Sequence, residues 1–599
     1  SCANVVFTNG AAETRGGSLK LNTTAVGSFV GDGIYTRRDN TGAETMVVFA
    51  GGTMWALTGT STFATIASAQ SVFTAGVRVG TTQFENHMFI GNGGVTAYKY
   101  NGTDFTRHGV PAPTATMTVA SNGAGNLAGD YRYKVVYVNS AVVWGDVSPA
   151  TATFAATSTG SILRVSAIPV APTSHGVSAR RLYRTDAGGI VYKFIATISD
   201  NTTTTYDDNI ASSLAGAVAP TDNGEPPRYS VAVYHQNRLF VNDTANPNYV
   251  WYSNLYEPYT FESTNFLPIG DASRDLVKGL EVYNNGVVVL CEGTPHLIYM
   301  PSADDAGWSV IRLLGAQGSK SPFSTFLYDN KMAFGAFQND KFAGYAALSG
   351  QSIDPSTTLL TASASGSDLK SDRIEPDMFQ VQEAYAGQIS AMVFKNKAYI
   401  SLPYGDGVTA NNRVYVFDFS RSNLKKQEAA WSPLTGLSAA QFTIYNSKLY
   451  YVSSTATGFV YQLEYTTYSD NGSAINSYIW TKEIAGNPGH ENLQKDFRKV
   501  KLLVEKTGSY YMNLTYRVDS DNGEGTTKQI DLTSDADTWG TKPWGTMVWG
   551  SGSAQEEVTI SLGQMTGKRI QFKFSNQNTA AQRFKVLGLN LTYNIKGRR

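Results

Sequence analysis

Short apolar runs, broken every few residues by turn formers, set the rhythm of this chain. From Tyr229 to Met300 the sequence contains SVAVYHQNRLFVNDTANPNYVWYSN and then GLEVYNNGVVVLCEGTPHLIYM. Each piece has one plan: an apolar strand, an aromatic, an Asn-centred turn, a second apolar strand, a polar loop, and a third strand rich in aromatic and β-branched residues. Asn tolerates the left-handed conformation that a tight hairpin requires, and Val, Ile, Tyr and Phe suit a pleated, half-buried surface.

The turn recurs. Phe84-Glu85-Asn86, Tyr283-Asn284-Asn285, Tyr328-Asp329-Asn330 and Phe394-Lys395-Asn396 share it, with Tyr445-Asn446-Ser447 and the one-residue-longer Tyr234-His235-Gln236-Asn237. The aromatic positions 234, 283, 328, 394 and 445 are 49, 45, 66 and 51 apart. Four-stranded propeller blades repeat every 40–50 residues or so. The longest interval holds an extra polar loop, Ser349 to Asp372. The interval from 84 to 234 contains a segment of different character, 111–227. Taken as an insertion, it leaves about one blade in that gap. A further hairpin, Arg38 to Leu57, turns at Asp39-Asn40-Thr41-Gly42. The pattern predicts an all-β protein, a β-propeller of six or seven blades. A set of unrelated hairpins in two sandwiches is the alternative architecture.

Four stretches follow. Residues 1–110 open with NVVFTNGAAETRGG and run into the first propeller blades. Arg15-Gly16-Gly17 is read as a turn, because no helix and no Lys-Ser/Thr follows to make a phosphate loop. Residues 111–227 are bracketed by Pro111 and Pro113 at one end and by Pro226 and Pro227 at the other. Roughly seven strands in this length predict an inserted sandwich of fibronectin type III or immunoglobulin type. Within it ARRLYRTDAGGIVYKFIATI is a hairpin turning at Asp186 to Gly189. Residues 228–466 hold the remaining blades. Residues 467–599 change character again. Strands expected at Ser477 to Ile484, Phe497 to Glu505, Tyr510 to Val518, Val558 to Leu562, Arg569 to Asn576 and Phe584 to Tyr593 predict a C-terminal β-sandwich. A basic tail, Lys596-Gly597-Arg598-Arg599, ends it.

Composition sharpens this picture. Of 599 residues 42% are hydrophobic and 16% charged, below the usual quarter. Long helical patterns are nearly absent. The formal net charge of zero argues against a generic nucleic-acid binder, which would carry a basic field. It permits a conduit for DNA, because a channel must not hold the phosphate backbone tightly. Cys2 and Cys291 make no disulfide framework. Cys291, in the apolar run VVVLCEG, is expected to be a buried thiol, and assembly in a reducing compartment is the simpler reading. No apolar run reaches the ~18 residues of a transmembrane helix, and no signal-peptide pattern is read.

Candidate chemistry is sparse. His87, His108, His175, His235, His296 and His490 are scattered, and none pairs at helical spacing or joins a cysteine pair, so a zinc site is not expected. No nucleophile elbow is present. Ser302-Ala303-Asp304-Asp305-Ala306-Gly307-Trp308 is similar to a sialidase Asp-box, but the Gly and Trp spacing departs from it and there is one copy. A glycosidase is therefore not expected. Asp519-Ser520-Asp521-Asn522-Gly523-Glu524 opens like a calcium loop. Its twelfth position is Ile530 in place of Glu, so a solvated hairpin turn is expected. Arg180, Arg181 and Arg184 flank Leu182 and Tyr183 and are read as a solvated face rather than a basic patch. Trp539, Trp544 and Trp549 lie five apart and cannot share one face of a strand. Packing against a neighbouring domain or subunit is expected, with a carbohydrate platform as the alternative. No catalytic, cofactor-binding or metal residue is assigned, no cofactor is expected, and an enzyme is not expected.

Several stretches together resemble one family. NVVFTNGAAETRGG, HQNRLFVNDTANPNYVWYSNLYEPYTF, FLPIGDASRDLVKGLEVYNNGVVVLCEGTPHLIY and FKVLGLNLTYNIKGRR, in that order, are similar to bacteriophage tail nozzle proteins, the tail tubular protein B family of short-tailed, podovirus-type phages. ARRLYRTDAGGIVYKFIATISDNTTTTYDD resembles fibronectin-like modules of phage structural proteins. The resemblance spans most of the chain and rests on the order of strand-and-turn patterns. It implies a non-enzymatic structural virion protein: a ring, usually a homohexamer, below the tail adaptor protein. Such a ring extends the ejection channel, gates genome release and often supports tail fibres or spikes. Phage DNA would pass without sequence-specific binding. The implied location is the virion tail, assembled in the host bacterial cytoplasm without stable membrane insertion. Family members usually carry six blades, against seven units counted here. Which loops gate the channel is not readable from the chain. The alternative function is a carbohydrate-binding adhesion module of a phage tail.

Overall fold

The computed structural model describes the chain except at residues 1, 9, 28, 140–143, 212–215, 314–317, 329, 339–340, 350–373, 424–427, 520–524, 534–554, 578, 580–581 and 597–599. Two compact units are present: Phe29–Phe379 with Ala386–Gln388, and Ser1–Ser28 with Gln380–Tyr385 and Ile389–Arg599. The fold is all-β and of the propeller class.

The first unit contains five antiparallel sheets of blade type. The first sheet is Gly31–Arg38, Glu44–Ala50, Thr53–Thr58 and Thr62–Thr65. The second is Gly80–Phe84, His87–Gly91, Tyr98–Tyr100 and Phe105–Arg107. The third is Ala232–His235, Arg238–Asn242, Tyr249–Tyr252 and Phe266–Pro268. The fourth is Val277–Tyr283, Gly286–Cys291, His296–Tyr299 and Ser309–Arg312. The fifth has three described strands, Phe326–Tyr328, Lys331–Gln338 and Lys341–Ser349. In each, consecutive strands are neighbours.

The aromatic–Asn turns close the first hairpin of these sheets. Phe84 faces His87, His235 faces Arg238, and Tyr283 faces Gly286, so each loop has two residues. Glu85, Gln236, Asn237 and Asn284 have φ of 47°, 46°, 62° and 52°. This left-handed geometry matches the twist of the flanking strands. The turn expected to be longer, at Tyr234, is therefore an ordinary two-residue loop whose aromatic stands one place further back. The turns also tie neighbouring sheets together. Phe84 stacks on Tyr234 with centroids 4.1 Å apart. Gln236 donates to the Met300 carbonyl at 3.0 Å. The Tyr283 hydroxyl donates to the Asn330 carbonyl at 2.7 Å.

The second strands of these sheets are buried on both faces. In the second strand of the fourth sheet, Val287, Val289 and Cys291 pack with Phe240 and Val250 of the third sheet. Val288 and Leu290 pack the other way, against Met332 and Phe334 of the fifth. Strands covered on both faces read as unbroken apolar runs, which accounts for VVVLC.

Between the second and third sheets lies the inserted sandwich. One sheet is Thr118–Tyr131, Phe154–Ser166 and Tyr206–Asp208. The other runs in the order Trp144–Val147, Tyr133–Asn139, Val177–Thr185 and Tyr192–Ile198. Tyr131, Tyr133, Val135, Leu163, Val165 and Leu182 form its core.

The second unit holds two more blade-type sheets and the C-terminal sandwich. The sixth sheet is Ser390–Phe394, Lys397–Leu402, Arg413–Asn423 and Glu428–Thr435. The seventh is Ala439–Tyr445, Lys448–Ser453 and Val460–Tyr465, joined by Gly17–Lys20 from the start of the chain, with the short strands Ser469–Asp470 and Ser473–Ala474 beyond it. The described residues thus contain seven such sheets, and the ends of the repeat share the last one. Gly17 is required there. A Cβ on it would stand 2.1 Å from the Ser469 carbonyl oxygen and 2.3 Å from that of Thr467, distances no side chain tolerates.

The N-terminal boundary differs from the expected blades over 1–110. Cys2–Ala3 pairs with Tyr478–Trp480 in one five-stranded sheet of the C-terminal sandwich. Val5–Thr8 and Ala11–Thr14 extend the other, beside Lys585–Ile595, Lys495–Glu505 and Gln555–Gly567. Val5 enters a core with Phe497, Val500, Leu502, Leu514 and Phe572. The remaining expected strands of this domain stand within a few residues of the observed ones.

Candidate functional site

The sequence candidates separate on folding. Arg180 and Arg184 are not a solvated face: they are 0% and 3% exposed. Arg180 pairs with Asp200 at 2.9 Å and Arg184 with Asp208 at 2.7 Å. Arg181 points the other way and lies 3.8 Å from the Trp144 ring centre. Asp304 caps the short turn Asp305–Gly307 by accepting from the Ala306 amide, and the Trp308 indole donates to the Ser302 carbonyl at 2.9 Å. The Asp-box-like stretch is therefore a folded connection between two strands of the fourth sheet. Asp519 accepts from the Lys568 and Arg569 amides at 2.7 and 2.8 Å. The rest of that turn, the three tryptophans of 534–554, the loop 350–373 and the last basic residues lie outside the described residues. Cys291 is buried 3.9 Å from His296 Nδ1, and burial pushes its thiol well above the usual range. No set of three or more His, Cys, Asp or Glu suited to a metal ion exists among the described residues.

Three of the six histidines converge where the inserted sandwich meets the second and third sheets. Strand Tyr98–Tyr100 sends Tyr98 and Tyr100 toward the first sheet. Lys99, one position off in a period of two, points the other way and is 5% exposed. Its ammonium donates to the carbonyls of Arg107 at 2.9 Å and His108 at 3.0 Å. It lies 5.1 Å from the Tyr259 ring centre. Burial lowers it to about 8. Glu225 acts on it through space but is paired with Arg107 at 3.0 Å. Arg107 also donates to His175 Nε2 at 3.2 Å.

His108 is fully buried. The Pro258 carbonyl, 2.7 Å from Nε2, can only accept, so Nε2 carries the proton and Nδ1 accepts from the Tyr229 hydroxyl at 3.0 Å. Burial lowers this imidazole to about 3. His87 stands 3.1 Å from the Tyr259 hydroxyl, and burial, with Lys99 and Arg37 adding to it, lowers it to about 4. Beside these groups is a cavity of about 720 Å³. His87, Lys99 and Thr106 line it from the second sheet, and Asn139, Ser174 and Asn201 from the insertion.

Both histidines are neutral in the folded chain and titrate near the ordinary value when unfolded. Their contribution to stability is full above pH 6.5 and is lost as pH falls from there toward 4 and 3. Melting temperature is expected to fall over this range, and His108→Gln, which keeps hydrogen-bonding groups without the charge change, is expected to flatten the fall. Identical pH profiles for the two proteins would remove His108 from this account.

A second cavity, about 460 Å³, lies in the other unit and is lined by Ser18, Thr435, Tyr451, Tyr461, Asp470 and Asn476. Its one carboxylate is fully committed. Asp470 accepts from both terminal nitrogens of Arg15, at 2.9 and 2.5 Å, and from the Ser18 amide and hydroxyl at 3.1 and 2.9 Å. This arrangement holds the chain start in place.

Sequence reasoning passed over Lys99, Arg107 and Glu225. One signal was present: a lysine between two tyrosines in a strand of a fold whose sheets are covered on both faces.

No family model matches the chain, and no curated protein matches it. Among solved structures it is similar to BBS1N in complex with ARL6DN (9% identity, TM-score 0.23, 75% of this chain and 97% of that one). It is also similar to a catalytically inactive virginiamycin B lyase from Staphylococcus aureus with quinupristin (6%, 0.25, 64% and 95%). A third is an exo-beta-1,3-galactanase from Phanerochaete chrysosporium with galactose (13%, 0.17, 78% and 100%). At these identities and TM-scores none carries an activity, ligand or partner over to this chain.

Proposed function

We propose that this protein is a structural, non-enzymatic component of a short phage tail: the nozzle or distal hub, a ring of usually six copies beneath the tail adaptor. The ring extends the channel through which DNA leaves, and loops projecting inward gate it. Fibres or spikes attach to its periphery, and assembly takes place in the bacterial cytoplasm. The observation that carries the reading is the meeting of the two chain ends. The opening and closing segments that resemble the nozzle family are adjacent strands of one sheet, with Ala12 opposite Val586 and Glu13 opposite Lys585. The first and last of these motifs thus share one domain, which supports the reading. The joint described above supports it too, since its ionisable groups are buried in a domain contact, which suits a rigid building block. A propeller leaves few exposed strand edges, so copies can pack side by side into a closed ring without running on into fibrils.

Cryo-electron microscopy of the protein with its tail adaptor tests this directly. The expected particle is a six-fold ring with an axial opening wide enough for duplex DNA. A monomer or trimer without such an opening overturns the proposal.

A further inference from the structure

We propose that the cavity between the second sheet and the inserted sandwich is a binding site for a small polyhydroxylated anion, of the class of a sugar acid, anchored by Lys99. This goes beyond the nozzle reading and does not depend on it.

An ammonium taken out of water is costly unless a counter-charge or a full set of acceptors replaces the solvent. Lys99 is 5% exposed and has three N–H bonds to place. Two go to the Arg107 and His108 carbonyls. It forms no ion pair among the described residues, because Glu225 is held by Arg107. Yet it does not face solid core. It lines a space of about 720 Å³, within the range of small-molecule sites. A cation with donor capacity left over, at the wall of a ligand-sized cavity and with the Tyr259 ring as its remaining contact, can receive an anionic group there.

The rest of the lining sets the second half of the chemistry. Thr106, Asn139, Ser174 and Asn201 present hydroxyls and amides. Such groups suit a ligand carrying several hydroxyls better than a purely apolar one. His87 remains neutral in the ordinary pH range and adds no competing charge. Asp104, also on the wall, disfavours a second negative charge on the ligand, so one anionic group is the expected complement. The cavity has walls from two domains, so an occupant would also fasten the insertion to the second sheet.

The other titratable groups around Lys99 leave its proton legible. His87 and His108 are held near 4 and 3, and Tyr259 near 12. Burial raises Glu225 from its ordinary value, and Arg107 and Lys99 oppose that. Between pH 7 and 9 the group that changes charge is Lys99, near 8. Anion affinity is therefore expected to weaken about tenfold from pH 7 to pH 9 as the ammonium is lost.

The test is calorimetric titration of the full chain with glucuronate, glucose and inorganic phosphate, on wild type, Lys99→Met and Lys99→Arg. The expected result is binding of glucuronate at pH 7, about tenfold weaker at pH 9, lost in Lys99→Met and partly kept in Lys99→Arg, with glucose far weaker. A second measurement needs no variant. With lysine labelled with carbon-13 and nitrogen-15 and its amine left unmodified, the Lys99 resonance is expected to titrate near pH 8 and to move to higher pH when glucuronate is added. Three results overturn the proposal: no binding of glucuronate, equal binding of glucose, or a Lys99 resonance unmoved by ligand. Phosphate binding as tight as glucuronate binding would overturn the sugar-acid assignment. A monomeric, ring-free protein that still binds glucuronate would sink the nozzle reading and leave this one standing.

Discussion

Replacing Arg15 by alanine is expected to loosen the start of the chain and everything it ties together. Arg15 is 2% exposed and forms a two-pronged pair with Asp470. Its Nε also donates to Asn4 Oδ1 at 3.0 Å, and Asn4 in turn accepts from the Thr435 amide at 2.8 Å. One side chain thereby links the turn before Gly17, the end of the sixth sheet and the stretch leading into the C-terminal sandwich. Removing one partner of a buried pair costs about 3–5 kcal/mol, because the other charge is left in a medium that cannot solvate it. Native-state hydrogen exchange reads this locally. Amides of Gly17–Lys20 and Val460–Tyr465 are expected to lose roughly two to four orders of magnitude of protection. The first sheet, in the other unit, is expected to keep its protection. Arg15→Lys retains the charge but not the fork, and should recover only part of the loss. A drop below about 1 kcal/mol, the range of exposed pairs, would show that Arg15 is not the clasp.

The second large effect is expected inside the inserted sandwich. Arg184 and Asp208 are 3% and 0% exposed and 2.7 Å apart. Asp208 also accepts from the Tyr133 hydroxyl at 2.8 Å and the Ile210 amide at 2.9 Å. Arg184→Ala leaves a buried carboxylate with its cation gone, again about 3–5 kcal/mol. Asp208→Ala leaves a buried guanidinium, with a similar loss. Replacing both, as Arg184→Met with Asp208→Leu, removes the two charges together and is expected to recover most of the stability. Exchange protection across Val177–Thr185 measures all three. If the double variant were as unstable as the sum of the singles, the pair would not be the source of the effect.

These two sites also show what a sequence makes visible. The aromatic–Asn turns and the VVVLC run were legible because their causes are local: a two-residue loop needs left-handed φ, and a strand buried on both faces needs apolar residues on both. The Arg180, Leu182, Arg184 alternation reads as a solvated face and is a buried one. The three share parity, Leu182 faces the core, and so the arginines do too. Their acidic partners, Asp200 and Asp208, lie 20 and 24 positions on, where no periodicity links them. The placement of residues 2–14 was not legible at all, because their partners lie at the other end of the chain. The joint cavity stayed hidden for the same reason: Lys99, Ser174 and Asn201 belong to separate elements that meet only on folding.

The pairing of the chain ends has a consequence for how the protein is made. Thr14 accepts from the Phe584 amide across 570 positions of sequence. A ribosome adding 5–20 residues per second needs roughly 30–115 s to cover that distance. For that time the first hairpin, Val5–Thr8 with Ala11–Thr14, has emerged without the distant strand that Ala11–Thr14 pairs with, while the sheets from Gly31 onward are free to form. Exposed, unpaired strands invite pairing with other chains. The opening segment is thus a waiting edge during synthesis, and a substitution there that makes it stickier carries an aggregation cost.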